Sequence, residues 1–118
     1  MNATAADTRR QPRRRVSDNV TVLDSMTDQI VGRLGNVSET GMLLIASAPL
    51  VDDALYQLSF QLDEGGGGIP IEVGAHVLWQ DDASAPGQSW CGLRFINLPE
   101  VHRRALREWL GQPGGRYA

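Results

Sequence analysis

Lysine is absent from this sequence of 118 residues, and all eleven basic side chains are arginine. Every fixed positive charge is therefore a planar guanidinium, which offers forked donors to guanine edges and phosphates and stacks on flat rings. A GC-rich genome produces the same bias, so this absence alone selects no ligand. The positions of the arginines therefore indicate where an anionic ligand could bind.

Cysteine and long apolar runs are also scarce. Cys91 is the only cysteine, which excludes an intramolecular disulfide and fits a reducing compartment. No apolar run approaches the roughly 18 residues of a transmembrane helix, and the first residues, MNATAADTRR, lack the apolar stretch of a signal peptide. We therefore expect one cytoplasmic, monomeric domain that does not insert into membranes.

Charge is distributed unevenly along the chain. Residues 1–15, which end in RRQPRRR, carry five arginines against one acidic residue, Asp7. Residues 16–115 carry five arginines against thirteen acidic residues, and the net charge of the whole chain is -3. The sequence predicts a flexible basic arm over 1–15, a folded acidic domain over 16–111 and a tail over 112–118.

From residue 20 onward, short apolar segments alternate with turn residues. The clearest is LYQLSFQL, in which Tyr56, Leu58, Phe60 and Leu62 share one face. Another long segment should bend at Gly74. The six predicted strands cover residues 20–23, 29–34, 42–46, 55–62, 69–79 and 90–95. With no helix between them, they predict an all-β-dominated fold, a six-stranded antiparallel small barrel.

The stretch INLPEVHRRALREWLGQP changes to helical periodicity. Asn97 is the predicted N-cap, and Gly111 with Pro113 should end the helix. The apolar face predicted to cover the barrel comprises Val101, Ala105, Leu106, Trp109 and Leu110. We assign Trp90 and Trp109 to packing of the barrel and the helix.

The hexapeptide NVSETG, residues 36–41, is typical of a turn between strands, since Asn and Ser bond nearby backbone groups and Gly tolerates unusual geometry. Its pattern, D/N-x-S-x-x-G, is satisfied by Asn36, Ser38 and Gly41. The arm contains R-x-x-x-R twice, as Arg9 with Arg13 and as Arg10 with Arg14.

This pair of motifs resembles that of the PilZ family of cyclic di-GMP receptors. The likeness extends to HVLWQ and to GLRFINLPEVHRRALREWL, so it covers residues 9–110. It implies a receptor for c-di-GMP; from the residues themselves we expect no enzyme activity, no metal and no cofactor. The implied ligand-binding residues are Arg9, Arg10, Arg13, Arg14, Asn36, Ser38, Gly41 and Trp79.

The chemistry of the ligand suits these residue types. Two guanines and two phosphodiesters require forked donors, positive charge and stacking, all of which arginine supplies. Asn36 could bond a guanine edge, Ser38 could donate to a phosphate or base, and Gly41 would let ligand and backbone approach closely.

Register within the arm stays open at this point. We favour Arg10 and Arg14 as the motif, with Arg9 and Arg13 assisting. In relatives, an arginine just before the motif accompanies an intercalated ligand dimer, so Arg9 implies two c-di-GMP molecules per chain. Trp79 is in phase with the buried face of its strand, and packing and ligand contact both remain open for it.

Other chemistry is not indicated. His76 and His102 have no partners at metal-site spacing, and Cys91 alternates as a buried apolar residue. The GGGG segment lacks the Lys and Ser/Thr of a phosphate-binding loop, and no set of nucleophile, base and orienting group suggests catalysis.

We expect the arm to close over the ligand and to alter the surface offered to a separate, unidentified effector protein. Two alternatives are a PilZ-like adaptor that acts without ligand, and a small-barrel nucleic-acid binder. The acidic domain should repel a long polyanion, which disfavours nucleic acid as a partner.

Overall fold

The structure, a computed structural model, describes residues 13–16, 20–62, 68–83, 85–113 and 115–116. Seven strands and one helix are found in these ranges. They are β1 (Arg14–Arg15), β2 (Thr21–Asp24), β3 (Gln29–Val37), β4 (Gly41–Ala46), β5 (Leu55–Leu62), β6 (Ile69–Asp82), β7 (Ser89–Asn97) and α1 (Glu100–Leu110).

Six of the strands close into the predicted antiparallel barrel. Their order is β3-β2-β5-β6-β7-β4, and β4 pairs back with β3 to complete the circle. The short strand β1 was not predicted; it pairs with the end of β3, so that Arg14 lies opposite Val37 and Arg15 opposite Asn36. The last arginines of the basic arm are thus held against the barrel, while residues 1–12 lie outside the described part of the chain.

The interior follows the predicted alternation. Leu58, Phe60 and Leu62 of β5 are buried, and Cys91 and Leu93 of β7 are buried opposite the exposed Trp90. The rest of the core consists mainly of aliphatic side chains from the other strands, from the link between β7 and α1, and from α1, including Val22, Leu34, Val37, Met42, Leu44, Ile71, Val73, Val77, Leu98 and Leu106. Burial of such side chains supplies most of the favourable free energy of folding.

Three register shifts interrupt the pairing of strands that form the outer surface described below. One lies between Leu34 and Asn36, one between Gly74 and Ala75 where a bend was predicted, and one between Val77 and Trp79. An extra residue in a strand moves the following side chains to the other face. The extra residues Gly35 in β3 and Leu78 in β6 therefore change the facing of the side chains that follow them. At the Gly74–Ala75 shift the extra residue is Ile96 of β7, and Val73, Ala75 and Val77 of β6 stay buried in simple alternation.

The C-terminal helix differs from its prediction in two details. Pro99, rather than Asn97, occupies the N-cap position, and Asn97 instead ends β7 opposite Gly74. Leu106 and Trp109 are buried as predicted, but Val101 is 71% exposed. At about 100° per residue, Val101 lies about 140° around the helix axis from Leu106, so the two cannot share a narrow face.

Candidate functional site

Asn36 lies at the border of two clefts on the outside of the barrel. It belongs to β3 and not to the turn, because β3 extends to Val37. The register shift at Gly35 leaves both Leu34 and Val37 buried although they are three residues apart. Asn36 consequently points outward beside Arg15 and Leu43, its partners on the neighbouring strands.

The large cleft has a volume of about 770 Å³, within the usual range for small-molecule sites. Its lining residues are Arg14, Arg15, Val16, Arg33, Gly35, Asn36, Leu43, Ile45, Trp90, Gly115 and Arg116. The small cleft, of about 360 Å³, is lined by Arg13, Asn36, Met42, Leu43, Leu78, Trp79, Gly92 and Leu93. Among the residues that the structure describes, no acidic side chain lines either cleft.

Arg13 makes the direct connection between the two predicted motifs. Its Nη1 donates a hydrogen bond to Asn36 Oδ1 at 3.2 Å. The Arg13 side chain is half-buried, and this burial lowers the pKa of its guanidinium. An arginine remains charged at neutral pH even so, and this charge stands at the mouth of the small cleft.

Arg14 reaches the end of the helix. Its Nη1 donates to the carbonyl oxygen of Trp109, and its guanidinium carbon lies 4.2 Å from the centre of the Trp109 ring. The helix dipole stabilises a cation at the carbonyl end of a helix, and the indole face stabilises it further by a cation–π interaction. Arg14 therefore ties β1 to α1.

Ser38 and Gly41 form the turn that follows Asn36. The buried Ser38 Oγ accepts a hydrogen bond from Thr40 N at 3.2 Å and donates to the Gly41 carbonyl oxygen at 3.4 Å. A Cβ on Gly41 would lie 2.4 Å from the Leu93 carbonyl oxygen, so only glycine allows β4 and β7 to approach here. In this structure both residues shape the turn, and the Ser38 hydroxyl is directed inside it.

Trp79 lies on the outer surface and not in the core. Because of the register shift at Leu78, Val77 is buried whereas Trp79 is 46% exposed. Its indole covers Gly92, where an added Cβ would lie 2.1 Å from Trp79 Nε1. The structure thus brings Trp79 together with Arg13 and Asn36 in the small cleft.

Three large-cleft residues were missed by sequence reasoning: Arg15, Arg33 and Trp90. Trp90 was assigned to packing, yet it is 37% exposed and lines the cleft. The sequence did indicate that Trp90 faces outward, because it precedes Cys91, and Cys91 and Leu93 face the core. For Arg33, strict alternation would place it on the face opposite Asn36, and only the shift at Gly35 puts both outside.

The turn is also connected to α1. Arg107 Nη2 and Nε donate to Glu39 Oε1 at 3.0 and 3.2 Å. This hydrogen bond and the charge of Glu39 raise the pKa of Arg107. Helix α1 therefore contacts the arm through Arg14 and the turn through Glu39. Arg9 and Arg10 lie outside the described residues.

Comparison with known proteins identifies the family. A family model described as PilZ domain matches residues 7–112. The chain belongs to the PilZ domain family. No protein with a curated description matches the sequence.

Two solved structures share this PilZ fold. The inhibitor of motility MotI/DgrA from Bacillus subtilis has a TM-score of 0.68 and 18% sequence identity, covering 86% of this chain and 49% of that chain. YcgR from Escherichia coli, crystallised in complex with c-di-GMP, has a TM-score of 0.67 and 16% identity, covering 86% of this chain and 43% of that chain. The present PilZ chain spans less than half of either structure.

Metal and membrane features can be assessed for the described part of this PilZ domain. Its His, Cys, Asp and Glu side chains form no cluster of three suited to a metal ion. Within the same residues, α1 is too short and too polar to cross a bilayer.

Proposed function

We propose that this PilZ domain is a c-di-GMP receptor, without catalytic activity, that binds its ligand over the two clefts beside Asn36. Membership of the family and the fold shared with YcgR, which was crystallised with c-di-GMP, support this kind of function. The carrying observation is the 3.2 Å hydrogen bond from Arg13 to Asn36, which joins the R-x-x-x-R and N-x-S-x-x-G motifs.

The groups around Asn36 match the chemistry of a guanine dinucleotide. A guanidinium can bond the O6 and N7 acceptors of guanine, and the Asn36 amide offers both a donor and an acceptor to a base edge. The exposed indole of Trp79 offers a stacking face in the small cleft. Arg14 and Arg15 supply positive charge for phosphates in the large cleft.

Ser38 and Gly41 complete the proposal. We assign to them the task of holding the turn so that Asn36 keeps its orientation, with the Ser38 hydroxyl able to donate to ligand if the turn opens. Arg9 and Arg10 enter from the arm as further ligand contacts.

Two clefts meet at Asn36, which supports two bound c-di-GMP molecules per chain, intercalated with each other. Calorimetry is expected to give a stoichiometry of two. A value of one, with full saturation, would reject the dimer but leave the receptor intact.

The signal is proposed to pass through α1 to a separate effector protein. Ligand phosphates that attract Arg14 compete with the Trp109 carbonyl for its guanidinium. A movement of the turn changes the position of Glu39 and therefore its hydrogen bond with Arg107. Amide hydrogen exchange at residues 107–110 should change on addition of c-di-GMP. Unchanged exchange at saturation would rule out α1 as the relay.

The direct test is titration with c-di-GMP, with GTP and cyclic di-AMP as comparison ligands. Arg13→Ala and Asn36→Ala should each raise the Kd about 5- to 150-fold, since a good side-chain contact to a guanine edge contributes about 1–3 kcal/mol. Arg14→Ala is measured in parallel. A larger loss of affinity for Arg14→Ala than for Arg13→Ala indicates that Arg10 with Arg14 is the functional motif, and the reverse indicates Arg9 with Arg13.

Arg104→Ala is the matched control, because Arg104 lies on the exposed side of α1, 3.9 Å from Glu100. It removes one arginine without touching either cleft and should bind like the wild type. Failure of the wild type to bind c-di-GMP at micromolar concentration, or equal affinity for cyclic di-AMP, would refute the proposed function.

A further inference from the structure

The large cleft contains positive charges that no carboxylate neutralises. In the described ranges, the arginines in ion pairs are Arg103, Arg104 and Arg107, all on α1. The cleft arginines Arg15, Arg33 and Arg116 have no such pair among those residues. Guanidiniums left unpaired in a chain of net negative charge are suited to an anionic ligand.

Arg33 and Trp90 stand on either side of Ile45. On β4, Ile45 pairs with Arg33 of β3 on one side and with Trp90 of β7 on the other. Neighbouring strands lie about 4.8 Å apart, so the backbones of Arg33 and Trp90 are separated by about 10 Å. Ile45, which is 9% exposed, points to the same side and lines the same cleft, so a flat ring placed between the two side chains would rest on it.

Both walls of this slot are flat and accessible. Arg33 is exposed and Trp90 is partly exposed, and both line the large cleft. A nucleobase placed between an indole and a guanidinium stacks on both, since every base has a π face and arginine stacks on aromatic rings. Asp81 lies opposite Trp90 on β6 and is exposed, but it does not line the cleft.

Arg116 comes to the same cleft from the tail. The Arg15 backbone N–H donates to the Arg116 carbonyl oxygen at 2.6 Å, which holds the tail beside β1. Arg116 is exposed and lines the cleft, so its positive charge adds to that of Arg15 and Arg33.

We propose that Arg33, Ile45 and Trp90 form a base-stacking subsite that holds one guanine of the bound dinucleotide. This inference rests on the proposed function and extends it, because it assigns a purine site to residues outside both motifs. The small cleft, with Arg13 and Trp79, then binds a different base, and Asn36 lies between the two base sites.

The test is c-di-GMP affinity and ligand-induced quenching of tryptophan emission in Trp90→Ala, Trp90→Phe, Arg33→Ala and Arg33→Lys. Trp90→Ala should raise the Kd about 5- to 150-fold, whereas Trp90→Phe keeps an aromatic face and should retain most affinity while losing part of the quenching. Arg33→Lys keeps the charge but loses the plane, so it should bind less tightly than the wild type.

The double variant Arg33→Ala/Trp90→Ala should lose less affinity than the two single losses combined, because both walls hold the same base. Arg104→Ala again serves as the control, and circular dichroism checks that each variant is folded. If Trp90→Ala does not fold, Trp90→Phe and the Arg33 variants still decide the question.

The possible outcomes are distinct. Wild-type affinity in both Arg33 variants and in a folded Trp90→Ala would overturn the subsite while leaving the receptor function in place. A wild type that fails to bind c-di-GMP would overturn both. Weaker binding of the Trp90 and Arg33 variants with an unchanged Arg104→Ala would support the subsite.

Discussion

At the residue scale, the hydrogen bond from Arg13 to Asn36 joins the arm to the end of β3. From the motifs we predicted that Asn36 and the arm arginines bind ligand, and this stays a prediction. The sequence could not show that Arg14 would instead reach Trp109, because that contact joins residues 95 positions apart. It also gave no means of pairing Arg33 with Trp90, since their proximity depends on the β3–β4–β7 order.

Cys91 allows a prediction about pH. Burial raises the pKa of its thiol; a backbone hydrogen bond with Leu50 opposes this effect, and the charge of Asp52 adds to it. The folded pKa therefore exceeds the unfolded value of about 8.5. The associated stability is present below that value and is lost as pH rises through the folded pKa.

We expect iodoacetamide to alkylate Cys91 of the native protein far more slowly than free cysteine at pH 8, because the thiol is buried and protonated. The melting temperature should fall as pH rises from about 8 to 10. Alkylation in denaturant gives the reference rate. A native thiol that reacts as fast as this reference would contradict the prediction.

Gly41 gives a second prediction at this scale. Gly41→Ala adds a methyl 2.4 Å from the Leu93 carbonyl oxygen, so β4 and β7 must separate. We expect a loss of about 1–3 kcal/mol in the free energy of unfolding, measured by urea denaturation. Gly111→Ala is the control, since its Cβ would have no neighbour nearer than 3.7 Å. Equal stability of both variants would show that the strands can yield.

At the scale of elements, periodicity predicted the six barrel strands and the helix because each buries one regular face. The bulges at Gly35 and Leu78 escaped prediction because an extra residue is set by pairing with a distant strand and not by local pattern. These bulges decide which side chains reach the clefts. For Trp79, where packing and ligand contact had been left open, the bulge at Leu78 places the indole on the outer surface.

The contact of Arg14 with α1 yields a prediction for this helix. Arg14→Ala removes a donor to the Trp109 carbonyl and a cation from its ring. We expect the last turn of α1 to fray and global stability to fall by about 1–2 kcal/mol. Hydrogen exchange at residues 107–111 measures the fraying, and Arg104→Ala should leave it unchanged. A last turn equally protected without Arg14 would show that packing of Trp109 suffices.

At the scale of the whole molecule, charge separation governs which anions bind. The arm and clefts are positive, whereas the rest of the barrel is acidic. A compact dinucleotide meets only the positive region, but a long polyanion must also pass acidic surface.

Affinity for c-di-GMP should therefore decrease as salt rises, while an RNA oligomer should bind weakly even at low salt. Ligand at 100 times its Kd should stabilise the fold by about 2.7 kcal/mol, seen as a higher melting temperature. Thermal stabilisation by RNA as large as that by c-di-GMP would favour the nucleic-acid alternative.

The hydrogen bond between Arg15 and Arg116 brings two distant parts of the chain side by side at the edge of the large cleft. A donor and an acceptor fluorophore on these two segments would turn any rearrangement there into a change in energy transfer. The adjacency of β1 and the tail thus makes the domain suitable for an optical sensor.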